Sequence, residues 1–183
     1  MCGRLYLSPD DNGQLALEML TSCAKNSWCS MLRQGATATM EAWTTDEKPN
    51  LSWSHPWASA PASAVVWGLF GIRAATPGWG SVVVKPQPGN LSWATIRVPS
   101  LRGPVEAAFN QSRCSFCLKL GVPDQVQVTA CLPRLGRPDT MVWDAIGGRA
   151  IDGWRDGNFV CVKVLPVGSR SVELVRNATG DSC

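Results

Sequence analysis

The sequence predicts a two-part α+β chain, a short helical segment followed by an antiparallel β-sandwich. Three observations carry this reading: apolar residues at helical spacing before Pro77, many short apolar runs after it, and Gly and Pro punctuation between those runs. With 183 residues there is room for one domain or two small ones. Hydrophobic residues make up 45% and charged residues 17%, the balance of a folded chain rather than a disordered one.

The helical part reads as three pieces. Asp10, Asp11 and Asn12 are good caps, and Leu15, Met19 and Cys23 then recur every four residues. A second helix is expected from Ser27 through Trp28, Met31 and Leu32, stopping at Gly35. A third is expected between His55 and Ile72, with Pro56 in its first turn and Val65, Val66, Leu69 and Phe70 as anchors. Pro61 should kink that helix or delay its start. Three helices cannot enclose a core of their own, so they must lean on the sandwich or on further partners.

Strands are expected at 82–85, 93–98, 105–109, 115–120, 125–131, 141–146, 159–164 and 171–175. Val126, Val128 and Ala130 alternate with Gln125, Gln127 and Thr129, as a strand with one wet face should. So many short strands at this spacing predict a β-sandwich. The sequence has no internal repeat and no low-complexity tract.

Composition narrows the function classes. The net charge is +3 with scattered cations, so no basic stripe calls for nucleic acid. No apolar run reaches the ~18 residues that span a bilayer, and the nearest, 58–72, is broken by Pro61, Gly68 and Gly71. Residues 1–20 lack the basic start and apolar core of a signal peptide. Eight cysteines point weakly to an oxidising compartment, and sequons at Asn50, Asn90, Asn110 and Asn177 permit a secretory history, so localisation stays open. Cys114 and Cys117 form a CxxC, but on a strand Cys117 would face away from the side shared by Cys114, Phe116, Leu118 and Leu120. With no second pair and one histidine, neither a metal nor a cofactor is expected. Nine tryptophans against one tyrosine suit stacking on sugar rings, beside the plainer reading of core and interface residues.

The chemistry concentrates between Gly35 and Trp57. Glu41 is followed by Trp43, and a loop with Asp46, Glu47, Pro49 and Asn50 leads to Trp53, His55 and Trp57. One carboxylate, three indoles and an imidazole are what a sugar pocket needs: stacking faces, a donor to a hydroxyl, and a group to activate water. The same residues also read as a surface acid over an aromatic and a histidine helix cap.

The run Gly35-Ala-Thr-Ala-Thr-Met-Glu-Ala-Trp43 resembles the GATT-x-W-E-x-W signature of family 78 glycoside hydrolases, the α-L-rhamnosidases. Met40 where bacterial members often have Trp is similar to a branch with TMEAW. The next run, Lys48-Pro-Asn-Leu-Ser-Trp-Ser-His-Pro-Trp57, resembles that branch's KPN-x-x-W-x-H-x-W. Gly71-Ile-Arg, Pro77-Gly-Trp and Lys85-Pro-Gln-Pro88 look like the link between the family's barrel and its C-terminal sandwich. The resemblance spans about residues 15–109.

It implies an (α/α)6 barrel whose last helices fill residues 1–75, and a C-terminal β-sandwich over 76–183. It further implies release of terminal α-L-rhamnose with inversion, which needs two carboxyl groups about 6.5–9.5 Å apart. Glu41 aligns with the family's general base and His55 with a histidine that contacts rhamnose. Trp43 aligns with the second Trp of the signature, and Trp53 and Trp57 are further wall candidates. A rhamnose-containing glycoside or polysaccharide is the implied partner. The general acid lies upstream in the family, and neither Asp10, Asp11, Asp46 nor Glu47 aligns with it. The expectation is therefore a C-terminal fragment that needs an N-terminal barrel segment to be active. A non-catalytic carbohydrate-binding remnant and a sandwich interaction module are the alternatives.

Overall fold

A computed structural model describes residues 12–164 and 171–177, so the caps expected at Asp10 and Asp11 lie outside the described residues. Helix α1 (Gly13–Thr21) buries Gly13, Ala16 and Leu17. Of the stripe expected to be its core face only Met19 packs against the core; Leu15 is 47% exposed and Cys23 lies past the helix end. Small residues on the buried face explain this, because α1 lies close against backbone; a Cβ on Gly13 would stand 2.6 Å from the Gln87 carbonyl. Helix α2 (Trp28–Arg33) starts as expected, with Ser27 Oγ accepting from the Ser30 N–H. It ends at Gly35, whose φ of +82° suits glycine. A disulfide between Cys23 and Cys29 staples the α1–α2 connection.

The third helix is broken. A 3₁₀ turn (Pro56–Ala58) precedes α3 (Ala60–Ala64), which restarts with Pro61 in its first turn, and a single π turn follows over Val65–Leu69. Proline tolerates only a first turn, so the helix has to begin again there. No helix among the described residues is long and apolar enough to cross a membrane.

Among the described residues, eleven strands then build two sheets. The five-stranded sheet has the order β1 (Arg73–Ala74), β2 (Ser81–Val84), β6 (Gln127–Pro133), β10 (Phe159–Val164), β9 (Trp154–Asp156). The six-stranded sheet has the order β3 (Trp93–Val98), β4 (Val105–Gln111), β5 (Ser115–Gly121), β11 (Val172–Asn177), β7 (Met141–Asp144), β8 (Arg149–Asp152). All pairings are antiparallel except β2 with β6, which is parallel. The eight expected strands are present, and β1, β8 and β9 are additional. The inward residues of β6, Val128 and Ala130, meet Val82, Val84, Phe116, Leu118 and Leu174 in one core.

The helical part shares that core. Phe70 is 2% exposed and its ring lies 5.5 Å from Phe109, which stacks on Phe116. Leu69 and Gly71 carbonyls accept from the Gln87 and Lys85 N–H groups at 3.0 and 3.3 Å. Gly71, at φ +63°, lies so close to the Lys85 carbonyl that no Cβ fits.

Cys131 and Cys161 sit opposite each other on β6 and β10 and form a second disulfide. Cys114 precedes β5 and is also disulfide-bonded, while Cys117 is a free thiol on the face opposite Phe116 and Leu118. At the far end of β11 the Arg176 guanidinium is buried. It donates to the Asp139 and Arg134 carbonyls at 2.7 and 3.3 Å, to the Met141 carbonyl, and to Asp139 Oδ1 at 3.2 Å.

Candidate active site

Residues 34–55 form neither helix nor strand, yet their backbone is tightly tied. The His55 N–H donates to the Thr39 carbonyl at 2.7 Å, and Thr39 Oγ1 donates to the His55 carbonyl at 2.8 Å. The Glu41 N–H donates to the Ser52 carbonyl at 2.9 Å. These bonds clamp two arms of one loop side by side, with Glu41 on one arm and His55 on the other.

A small core anchors the loop from below. Met40 is fully buried against Met31 and Ala58, and its N–H points at Met31 Sδ at 3.4 Å. Trp28 donates its indole N–H to the Ala58 carbonyl at 2.9 Å and packs edge-on against Trp43, with ring centroids 5.5 Å apart. With Met40 drawn inward, the neighbouring Glu41 keeps its carboxylate within reach of solvent, 24% exposed.

That carboxylate is held by two donors. Oε1 pairs with the Lys48 ammonium, and Oε2 accepts the Ser52 N–H at 2.9 Å. Lys48 lowers the Glu41 pKa most and the Ser52 N–H next; burial opposes them, and the charges of Lys48 and His55 add smaller reductions. The group is therefore an ionised carboxylate with access to water.

The indoles divide. Trp43 and Trp57 line a cavity of about 480 Å³ together with Trp28, Met19 and Ser27. His55 meets the Trp57 ring edge-on at 5.9 Å. Trp53 is 48% exposed and is not part of that cavity wall, nor is Glu41. The structure thus joins Glu41 to His55 through the loop, and His55 to the indole cavity through Trp57. Trp28 was not singled out by the sequence, because its place in an amphipathic helix reads as a core anchor; no motif marks it. For a metal, the Cys131 and Cys161 sulfurs and the Asp156 carboxylate lie within 4.8 Å of one another, but the two sulfurs are bonded to each other.

Residues 5–66 match the family described as the bacterial alpha-L-rhamnosidase 6 hairpin glycosidase domain. Residues 71–143 match the bacterial alpha-L-rhamnosidase C-terminal domain. The two matches follow one another along the chain and together take in most of it. The chain belongs to the α-L-rhamnosidase family, as its C-terminal part.

Solved structures give the same fold. The α-L-rhamnosidase from Dictyoglumus thermophilum superposes with a TM-score of 0.76 at 22% identity, over 91% of this chain and 19% of that one. The Streptomyces avermitilis α-L-rhamnosidase, solved with L-rhamnose, gives 0.70 at 23% identity, over 91% and 16%. The Aspergillus terreus α-L-rhamnosidase gives 0.62 at 21%, over 84% and 17%. This α-L-rhamnosidase-family chain therefore spans less than a fifth of the length of the solved enzymes it matches. No curated protein gives a significant match.

Proposed function

We propose that the chain is the C-terminal part of an inverting glycosidase that releases terminal α-L-rhamnose, and that it supplies the general base and part of the sugar pocket. The observation that carries this reading is the loop that clamps an ionised, water-accessible Glu41 beside His55. In an inverting reaction the base takes a proton from water as the water oxygen attacks the anomeric carbon from the face opposite the leaving group. Glu41 performs that step, and His55 orients the sugar through a hydroxyl.

Trp43 and Trp57 present flat faces to the sugar ring and its methyl group, and Trp53, exposed outside that cavity, is a further contact for the substrate. The general acid, which protonates the departing oxygen, comes from a barrel segment upstream of the portion described. On this reading residues 1–75 finish the (α/α)6 barrel and 76–183 form the sandwich that buttresses it.

The test is stereochemical. The full-length enzyme is given an α-L-rhamnoside, and the first sugar released is observed by proton NMR before it mutarotates. β-L-rhamnose appearing first is the expected result. α-L-rhamnose appearing first would mean retention, and Glu41 would then not be a water-activating base.

A further inference from the structure

The six-stranded sheet turns one face to the core and the other to solvent. Strand register runs a single row across the outer face: Trp93 opposite Asn110, then Cys117, Val175 and Trp143. Two exposed indoles, at 64% and 48%, flank that row, with only small or uncharged side chains between them. They stand four strand spacings apart, roughly 19 Å at ~4.8 Å per spacing, the reach of a short oligosaccharide. Cys117 adds no charge, since burial and the Glu173 carboxylate push its thiol up to about 11.

Beside this row the same face hollows out. A depression of about 480 Å³ opens over Thr95, Arg97, Glu106, Ala108, Lys119 and Gly121. Its charges cancel in pairs: Arg97 with Glu106 at 3.3 Å and Lys119 with Glu173 at 3.2 Å. With Asp152 exposed on β8 opposite Met141, the face carries no net positive charge and so has no hold on an anionic polymer or membrane. Protein interfaces concentrate aromatic and apolar groups at their centre and exclude charge from it. Here the arrangement is reversed: Asn110, Cys117 and Val175 are central, the ion pairs lie to one side of the row, and tryptophans stand at the flanks. Stacking platforms with paired donors and acceptors alongside them suit hydroxyl groups on sugar rings.

We propose that this face docks a neutral glycan chain, laid across the strands between Trp93 and Trp143. It shares no residue with the Glu41 loop, so it stands or falls independently of the catalytic reading. Asn110, next to Trp93 in the row, heads a sequon, and a glycan attached there would cover the row.

The 183-residue chain, prepared without N-glycans, is run in native gels containing soluble rhamnan, dextran or polygalacturonate. A neutral polymer retards the wild type, and Trp93→Ala/Trp143→Ala weakens that binding roughly tenfold or more while its cooperative thermal unfolding matches the wild type. Should the double variant fail to fold, Ala108→Arg fills the hollow with both indoles in place and is expected to weaken binding as strongly. No retardation by either neutral polymer, retardation by polygalacturonate alone, or equal retardation of a folded variant would overturn the proposal. So would loss of binding in Glu41→Gln with the tryptophan variants unaffected, which would locate the glycan in the helical part.

Discussion

Lys48 keeps Glu41 ionised, and the same contact limits how strongly that carboxylate can draw a proton from water. Because the folded-state pKa is lowered, the acid limb of kcat/KM in the full-length enzyme is expected below the ordinary glutamate range of about 4.3. Lys48→Met removes the largest cause of the shift, so the limb moves up in pH; an unmoved limb would show that Lys48 does not set the base. Arg176 acts on stability instead. Replacing it by Met leaves the Asp139, Met141 and Arg134 carbonyls without their guanidinium donor. Urea unfolding should show a loss of roughly 2–4 kcal/mol. Asp139, depressed by Arg137 first and by the Met141 N–H and Arg176 in turn, stabilises the fold above its unfolded pKa and loses that effect as pH falls through the folded one. The Arg176→Met variant should therefore lose less stability on acidification than the wild type does.

At the level of elements, the strands were legible because alternation is a period-two signal that survives in short runs such as Val126–Ala130. The missed strands explain themselves. β1 has two residues, and all the residues of β9 are exposed, so neither carries a burial pattern to read. The helical face was misread in part: Met19 does pack on the core, but Leu15 does not, and the closest approach is made by Gly13 against the Gln87 backbone, with Ala16 and Leu17 buried beside it. Nothing in Val-Glu-Leu-Val-Arg-Asn marks Arg176 as buried; its partners come from a loop about forty residues earlier. In the candidate site, the motif singled out Glu41 and His55, whose arms the loop ties together, whereas the Lys48 clamp and Trp28 went unmarked, since both depend on how the loop folds back. Phe70 is the pin between the two parts. Phe70→Ala is expected to cost about 3–5 kcal/mol and to loosen helices and sandwich in a single transition; two separate transitions in calorimetry would mean that the parts do not share a core.

Across the whole molecule, exposure is uneven. Leu15, Leu32, Trp53, Trp57 and Trp67, all in the helical part, are 47–70% exposed. Such a surface binds hydrophobic dyes, so the isolated chain should raise dye fluorescence, and a longer protein in which the proposed barrel packs against the helices should raise it less per molecule. Equal signals would mean that this side faces water in both. The family assignment stands on the two domain matches and the helix-plus-sandwich fold on the superpositions as well, whereas the proposed catalysis rests on Glu41. The most direct measurement is the turnover of full-length Glu41→Gln on an α-L-rhamnoside. The expected result is a kcat reduced on the order of 10²–10⁴-fold with substrate binding retained. Turnover near that of the wild type would contradict it.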